Sequence, residues 1–277
     1  MRLGVSLPSM GSNPDPERLA MVAREAETQG FHSVWVPDHV LRVFGPILDP
    51  LTVLSFIAGA TQRVGLGTNV LIVPYRHPLI LANETASLDV LTGGRFVLGV
   101  GVGWNEEEFL ALGISASERG RRTDETLEAM KRLWAGGLAT YEGRYYSFAG
   151  ATLGTSPQTK GGPPILVGGY SDAALQRALR FGEMWGGFMD SPERIREVRE
   201  RLKRLAEGVG RDLREVEILT TFRLEAPTPE TEGSAQRVAG ELLQLREVGV
   251  DVCVLAISPT RPETLAWVAE EVAPRLR

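Results

Sequence analysis

Eight short apolar runs alternating with amphipathic segments from one end of the chain to the other predict an α/β protein, a (β/α)8 TIM barrel with an insertion between the fourth and fifth strands. A count of eight suits a closed sheet, in which no strand is left as an exposed edge. An open doubly wound sheet with an added hairpin is the alternative that the same alternation allows. No internal repeat, low-complexity tract or linker divides the 277 residues, so a single barrel domain over 1–277 is expected.

The first run, Leu3 to Pro8, leads to a helix opened by Asp15-Pro16-Glu17, where a capping acid, a proline at the first helical position and an early glutamate coincide. Gly30 closes that helix. Ser33 to Pro37 is the second run, and Asp49-Pro50 opens the helix that follows. Val64 to Val70 and Phe96 to Val100 are the third and fourth. The rhythm then breaks between Trp104 and Ile165. Two helical patterns, Glu106 to Leu112 and Glu118 to Ala135, precede Thr140 to Phe148, which alternates about Glu142-Gly143 as a hairpin would. A Gly/Thr/Ser/Pro-rich loop, Gly150 to Pro164, follows. This insertion is expected at the mouth of the barrel, where loops carry function. Ile165 to Gly168, Met184 to Phe188, Val216 to Phe222 and Asp251 to Ile257 complete the eight, with Ser191-Pro192-Glu193 opening the helix after the sixth and Thr260 to Val272 forming the last.

A composition of 43% apolar and 23% charged residues is globular and supports one large core. The formal charge of −5 opposes nucleic acid and anionic membrane as partners unless a basic patch overrides it. The most basic stretch, Arg194 to Arg214, interleaves Glu193, Glu197, Glu200 and Glu207, and reads as an ion-paired helix face. No apolar run approaches the ~18 residues of a membrane span. The first residues lack the apolar core of a signal peptide, so a soluble, cytoplasmic protein is expected. Cys253 is the lone cysteine, which leaves no internal disulfide or thiolate metal site; flanked by valines, it reads as a buried strand thiol. The histidines, His32, His39 and His77, form no metal-binding spacing, and no G-x-S-x-G elbow or cysteine–histidine pair is evident. No metal is therefore expected. Redox chemistry carried by an organic cofactor is the class that remains.

In a barrel the working residues follow the strand C-termini. After the second run come Asp38 and His39: an imidazole whose tautomer a carboxylate can fix, or a turn in which Asp38 caps and His39 packs. After the third, Thr68, Asn69 and Val70 lead to Tyr75 and Arg76. Gly67 there permits close approach of a flat ligand or an irregular turn, and Arg76 is either a cation for an anionic group or a solvated loop residue. The fourth ends in Gly99-Val100-Gly101-Val102-Gly103-Trp104, which fails as G-x-G-x-x-G. Its missing bulk suits a broad ring over the mouth, or close packing of the next helix. The fifth ends in Gly168, Gly169, Tyr170 and Ser171, which open a helix as a phosphate cradle would, or as an ordinary serine-capped turn would.

Taken in order, Ala26 to Phe31, Trp35 to His39, Gly65 to Val73, Tyr75 to Pro78, Leu88 to Arg95, Gly99 to Trp104, Arg119 to Glu125, Tyr141 to Tyr146, Pro163 to Ser171 and Trp185 resemble the luciferase-like monooxygenase family, including its deazaflavin branch. The resemblance covers most of residues 1–190. It implies a barrel holding F420 or FMN, with the ring near His39, Thr68 to Leu71 and Gly101 to Trp104, and the phosphate on Gly168, Gly169, Tyr170 and Ser171. It also implies a non-prolyl cis peptide near Val70. The implied reaction is hydride transfer between the cofactor ring and a small organic substrate, with His39 moving the proton, Asp38 holding His39, and Trp104, Tyr75 and Arg76 bounding the substrate pocket. With FMN the implied reaction is a monooxygenation, and a separate flavin reductase is the expected partner. Self-association into a homo-oligomer is also expected. Val43 and Trp104 stand where the sugar-phosphate dehydrogenases of the deazaflavin branch carry an aromatic residue and a glutamate, so the substrate stays open. A flavin-binding barrel without turnover and a cofactor-free isomerase or lyase are the rival readings.

Overall fold

The computed structural model describes residues 1–11, 14–225, 234–258 and 260–276. Its strands are β1 (Arg2–Ser6), β2 (Ser33–Val36), β3 (Gly65–Thr68), β4 (Leu71–Ile72), β5 (Phe96–Gly101), β6 (Ala139–Glu142), β7 (Ser147–Ala151), β8 (Ile165–Gly168), β9 (Met184–Gly186), β10 (Glu217–Glu225) and β11 (Val252–Ser258). The helices are α1 (Pro16–Thr28), α2 (Pro50–Ala60), α3 (Pro78–Leu91), α4 (Glu106–Ala111), α5 (Arg119–Trp134), α6 (Asp172–Phe181), α7 (Pro192–Val209), α8 (Ser234–Glu247) and α9 (Pro262–Trp267). The expected caps form: Asp15 accepts the Glu17 and Arg18 amides, and Asp49, Ser171 and Ser191 cap α2, α6 and α7.

All eight expected runs become parallel strands, with β3 and β4 together making the third position. The sheet closes: β1 pairs with β2 on one side and β11 on the other, Arg2 opposite Val252, while β3 and β4 both pair with β5. Closure excludes the open doubly wound sheet and gives a (β/α)8 TIM barrel.

Successive side chains of each strand face opposite sides, which divides the core in two. Val34 and Val36 point outward to the helices, whereas Trp35 points inward with Leu166, Met184, Leu219, Val252 and Val254. The Trp35 indole fills the barrel interior and donates to the Ser33 hydroxyl at 2.8 Å. A methyl group added at Gly67 would come within 2.3 Å of that ring. The flat group that Gly67 admits is therefore the chain's own tryptophan. Cys253 is buried and its thiol is pushed up to about 12 by burial, as an unreactive strand residue should be.

The insertion lies between the fourth and fifth barrel strands, but its hairpin is not at the mouth. Burial alternates along β6, with Ala139 and Tyr141 in and Thr140 and Glu142 out. That face needs a partner, and α5 supplies it. Tyr141 donates to Glu128 at 3.1 Å, and Arg132 donates to the Thr140 carbonyl at 3.1 Å. At the tip, the Glu125 carboxylate collects the amides of Arg144, Tyr145 and Tyr146. Only that tip approaches the strand C-termini, through Tyr146 against the His77 ring that begins α3.

No described helix is long and apolar enough to cross a membrane. At Gly99 the neighbouring strand presses hardest: an added methyl would sit 1.8 Å from the Thr68 carbonyl oxygen. Gly99→Ala should therefore lower stability by roughly 1–3 kcal/mol, the usual cost of overpacking. An unchanged urea midpoint would show that the two strands can part without cost.

Candidate cofactor site at the barrel mouth

The floor of the mouth is built where residues 68–72 run beside the glycines that end β5. Thr68 donates to the Gly99 carbonyl at 2.6 Å. A methyl on Gly101 would come within 2.6 Å of Val70 Cγ2, one on Gly168 within 3.2 Å of Val70 Cγ1, and one on Gly103 within 2.7 Å of Ile72 Cγ2. The space that Gly101 and Gly103 leave is thus taken by Val70 and Ile72, and the sequence reading is corrected accordingly: these glycines let the adjacent strand in. The surface they help form is the half-buried Val70 side chain. The Asn69–Val70 peptide is cis, at the position the resemblance implies. Asn69 reaches across to β10, donating to the Thr221 hydroxyl at 3.1 Å.

Asp38 does not hold His39. Adjacent residues of an extended segment face opposite ways, and Asp38 turns outward. Its buried carboxylate accepts the Ile72 amide at 2.8 Å and both terminal nitrogens of Arg76, at 2.6 and 3.1 Å. Arg76 also pairs with Asp49 at 3.0 Å, in a groove between α2 and α3 on the outside of the barrel. Arg76 is thus committed to two carboxylates and is not an open anion site. A buried carboxylate needs a paired cation, and Arg76 meets that need.

The carboxylate that holds His39 is Glu108, on α4. Nδ1 of His39 lies 2.9 Å from Glu108 Oε2. The same oxygen accepts the Tyr75 hydroxyl at 3.0 Å, and Oε1 accepts the amides of Val40 and Leu41 at 2.7 and 3.0 Å. Burial raises the Glu108 carboxyl, but the hydrogen bonds from Leu41, His39 and Val40 outweigh it and hold it below the ordinary 4.5. An ionised carboxylate only accepts, so His39 donates through Nδ1, and Nε2 is the nitrogen left for chemistry. Trp104, 61% exposed, meets the imidazole edge-on at 5.6 Å, and Phe44 does so at 6.3 Å. Tyr75, expected as a pocket wall, packs its ring on Phe109 and spends its hydroxyl on Glu108, which with burial raises its pKa.

At the end of β8, Ser171 caps α6 through the Ala174 amide at 3.2 Å, and Gly169 has φ +119°, which suits glycine. Asp172, in the first turn, pairs with Arg201 at 2.6 Å, which partly offsets its charge. The Tyr170 hydroxyl is committed elsewhere, donating to Asp190 at 2.9 Å and accepting the Phe188 amide at 2.7 Å. Burial, joined by the Asp190 charge, pushes that phenol up to about 12. What this turn offers a ligand is backbone.

The sequence reading missed three things: Glu108, the Asp190–Thr220 pair beside Tyr170, at 3.1 Å, and the main concavity of the mouth. That concavity, about 700 Å³, opens over the ends of β1, β9, β10 and β11. Nothing in Glu106-Glu107-Glu108 says which acid turns inward; only tertiary packing separates the buried Glu108 from its exposed neighbours. Among the described residues no group of His, Cys, Asp and Glu is arranged to hold a metal.

A closed parallel barrel whose strand C-termini carry a carboxylate-held imidazole, a floor of Val70 seated on glycines and a capped helix start belongs to the class of barrels whose working residues gather at the C-terminal mouth. The sequence profile of the luciferase-like monooxygenase family matches residues 1–247, and the chain belongs to that family. It is 34% identical over 220 residues to an F420-dependent glucose-6-phosphate dehydrogenase of Kineococcus radiotolerans, covering 75% of this chain and 64% of the relative. It is 29% identical over 159 residues to the oxygenase component of a flavin-dependent trigonelline monooxygenase of Acinetobacter baylyi, covering 57% and 44%. A solved F420-dependent secondary alcohol dehydrogenase shares the fold with a TM-score of 0.85 at 20% identity, over 100% of this chain and 99% of that one.

Glu108→Gln should cost about 1–3 kcal/mol, because an amide presents donors to donors in a buried site. The stability contributed by the ionised carboxylate is complete above pH 4.5 and fades as pH falls through the lower folded value. The gap between wild type and variant should therefore narrow in acid, and a gap constant from pH 7 to pH 3 would contradict the assignment.

Proposed function

We propose that the protein is an oxidoreductase that holds F420 or FMN across the barrel mouth and transfers a hydride between the cofactor ring and a small organic substrate, acting as a single barrel domain in the cytoplasm. The observation that carries this reading is His39, fixed through Nδ1 by Glu108 and edged by Trp104, beside a floor made of Val70 lying on Gly101 and Gly168. A flat ring fits such a floor because the half-buried Val70 side chain, seated on two glycines, offers it an apolar surface. The helix start at Gly169, Tyr170 and Ser171, with Asp172 turned to Arg201, fits an anionic phosphate through its backbone amides.

When bound, either cofactor supplies the hydride-exchanging centre that the side chains lack. The chain's own residues do the rest. Val70 and Asn69 are the residues that would hold the ring. His39 gives or takes a proton at Nε2, and Glu108 stabilises the imidazolium that results. Trp104 and Phe44 pack edge-on against the imidazole.

The names of the relatives support both cofactors. The Kineococcus enzyme is F420-dependent and the Acinetobacter one flavin-dependent, and the term oxygenase component supports a separate flavin reductase as partner in the FMN case. Exposed Phe56, Ile80, Val90 and Leu91 on α2 and α3 support a homo-oligomer.

Titration of the purified protein with FMN and with F420, followed by absorbance and fluorescence, tests the reading: uptake of one is expected. His39→Ala should then slow turnover by about 10²-fold or more while leaving that uptake intact. Failure to bind either cofactor would refute the proposal, and uptake without any turnover across substrates would point to a flavin-binding barrel.

A further inference from the structure

The cavity over β1, β9, β10 and β11 is set apart from the rest of the mouth by its lining. Leu7, Met10, Phe188, Met189 and Ile257 make it largely apolar, and Phe188 and Met189 leave 64% and 42% of their surface uncovered there. Met189 is held at φ +54°, a left-handed conformation that a non-glycine residue adopts at a cost and that fixes the rim where it lines the cavity. Two arginines, Arg18 from α1 and Arg223 from β10, also line this apolar bowl. Arg18 is anchored at the edge by one N–H to the Thr260 carbonyl, at 3.1 Å. Among the described residues no Asp or Glu lines the cavity. The groove between α2 and α3 is the counterexample within the same chain, since Asp38 and Asp49 neutralise its arginine.

Two cations in a concave, weakly polar wall whose described lining holds no carboxylate favour a positive potential there, in a molecule whose net charge is −5. A volume near 700 Å³ suits a small molecule. Pro37 also lines the cavity, and residues two apart in an extended segment face the same way, so a ligand here lies on the side of the mouth to which His39 turns. The turn at Gly169 to Ser171 does not line it, which leaves the expected seat of a cofactor phosphate outside this bowl. We infer that this cavity is the substrate subsite and that it selects an organic anion, an apolar body carrying a carboxylate or similar oxyacid group that Arg18 and Arg223 hold by charge-assisted hydrogen bonds. The inference rests on the mouth being the reaction site proposed above.

Calorimetric titration with octanoate and with 1-octanol tests it, since the two share an alkyl chain and differ in charge. Wild-type protein should bind octanoate about tenfold or more tightly than octanol. Arg18→Gln and Arg223→Gln should each reduce that preference and the double variant should abolish it, with octanol binding, thermal melting and FMN or F420 uptake unchanged. Arg223→Lys should restore part of it. Equal binding of the two probes by wild type, or a preference that survives in the double variant, overturns the inference. So does loss of cofactor uptake in the arginine variants, because the cations would then serve the cofactor's own anionic tail. Wild-type protein that prefers octanoate but takes up neither cofactor would refute the redox reading and leave the anion subsite standing.

Discussion

The mouth of this barrel depends on how closely residues 68–72 approach the end of β5. Three glycines at alternate positions, Gly99, Gly101 and Gly103, face Thr68, Val70 and Ile72 in turn, and a side chain on any of them would collide with its partner. Because the strands touch there, Thr68 can bond the Gly99 carbonyl, Val70 can lie over Gly101 and Gly168, and Ile72 can offer its amide to Asp38. Gly103 also lets Phe109 close in, which seats α4 against the barrel and brings Glu108 to His39. One packing constraint thus shapes the floor and supplies the carboxylate above it.

Asp38 and His39 show how a two-residue alternation separates electrostatic tasks. The outward carboxylate is neutralised by Arg76, which is shared with Asp49 and locks the loop after β4 to the outer helices. The inward imidazole receives a different carboxylate from a different element. Glu108 is buried yet ionised because four donors meet its two oxygens. A buried charge that is fully satisfied costs little further to keep and holds its neighbours in one geometry, which is what an imidazole needs if one nitrogen is to be fixed and the other free.

The two halves of the rim differ in character. The half from β3 to β8 is low, backbone-rich and committed to internal contacts, while the half from β9 through β11 to β1 is concave, apolar and cationic. A flat cofactor on the first and an organic anion on the second would meet beside His39 and Pro37. Such a division of labour suits a fold in which each strand end contributes separately to the pocket.

The alternation of runs and caps was enough to determine the eight strands, the insertion and its hairpin, because amphipathic period and capping chemistry are local properties that each segment carries in its own residues. The same local signals put His39, Trp104 and the helix start at Ser171 just beyond strand ends, where the structure has them. What they could not supply was partnership. The sequence places Asp38 next to His39, and only the opposed directions of their side chains assign one to Arg76 and the other to Glu108, 69 residues away from His39. Glycines that read as room for a ligand prove to be room for Trp35, Val70 and Ile72, since a missing side chain does not say what fills the space. Arg18 and Arg223 are more than two hundred residues apart, and closure of the sheet between β1 and β11 is what brings them to a common cavity. Local propensity is written along the chain, whereas the pairing of charges and the filling of gaps are settled by which surfaces the folded barrel brings into contact.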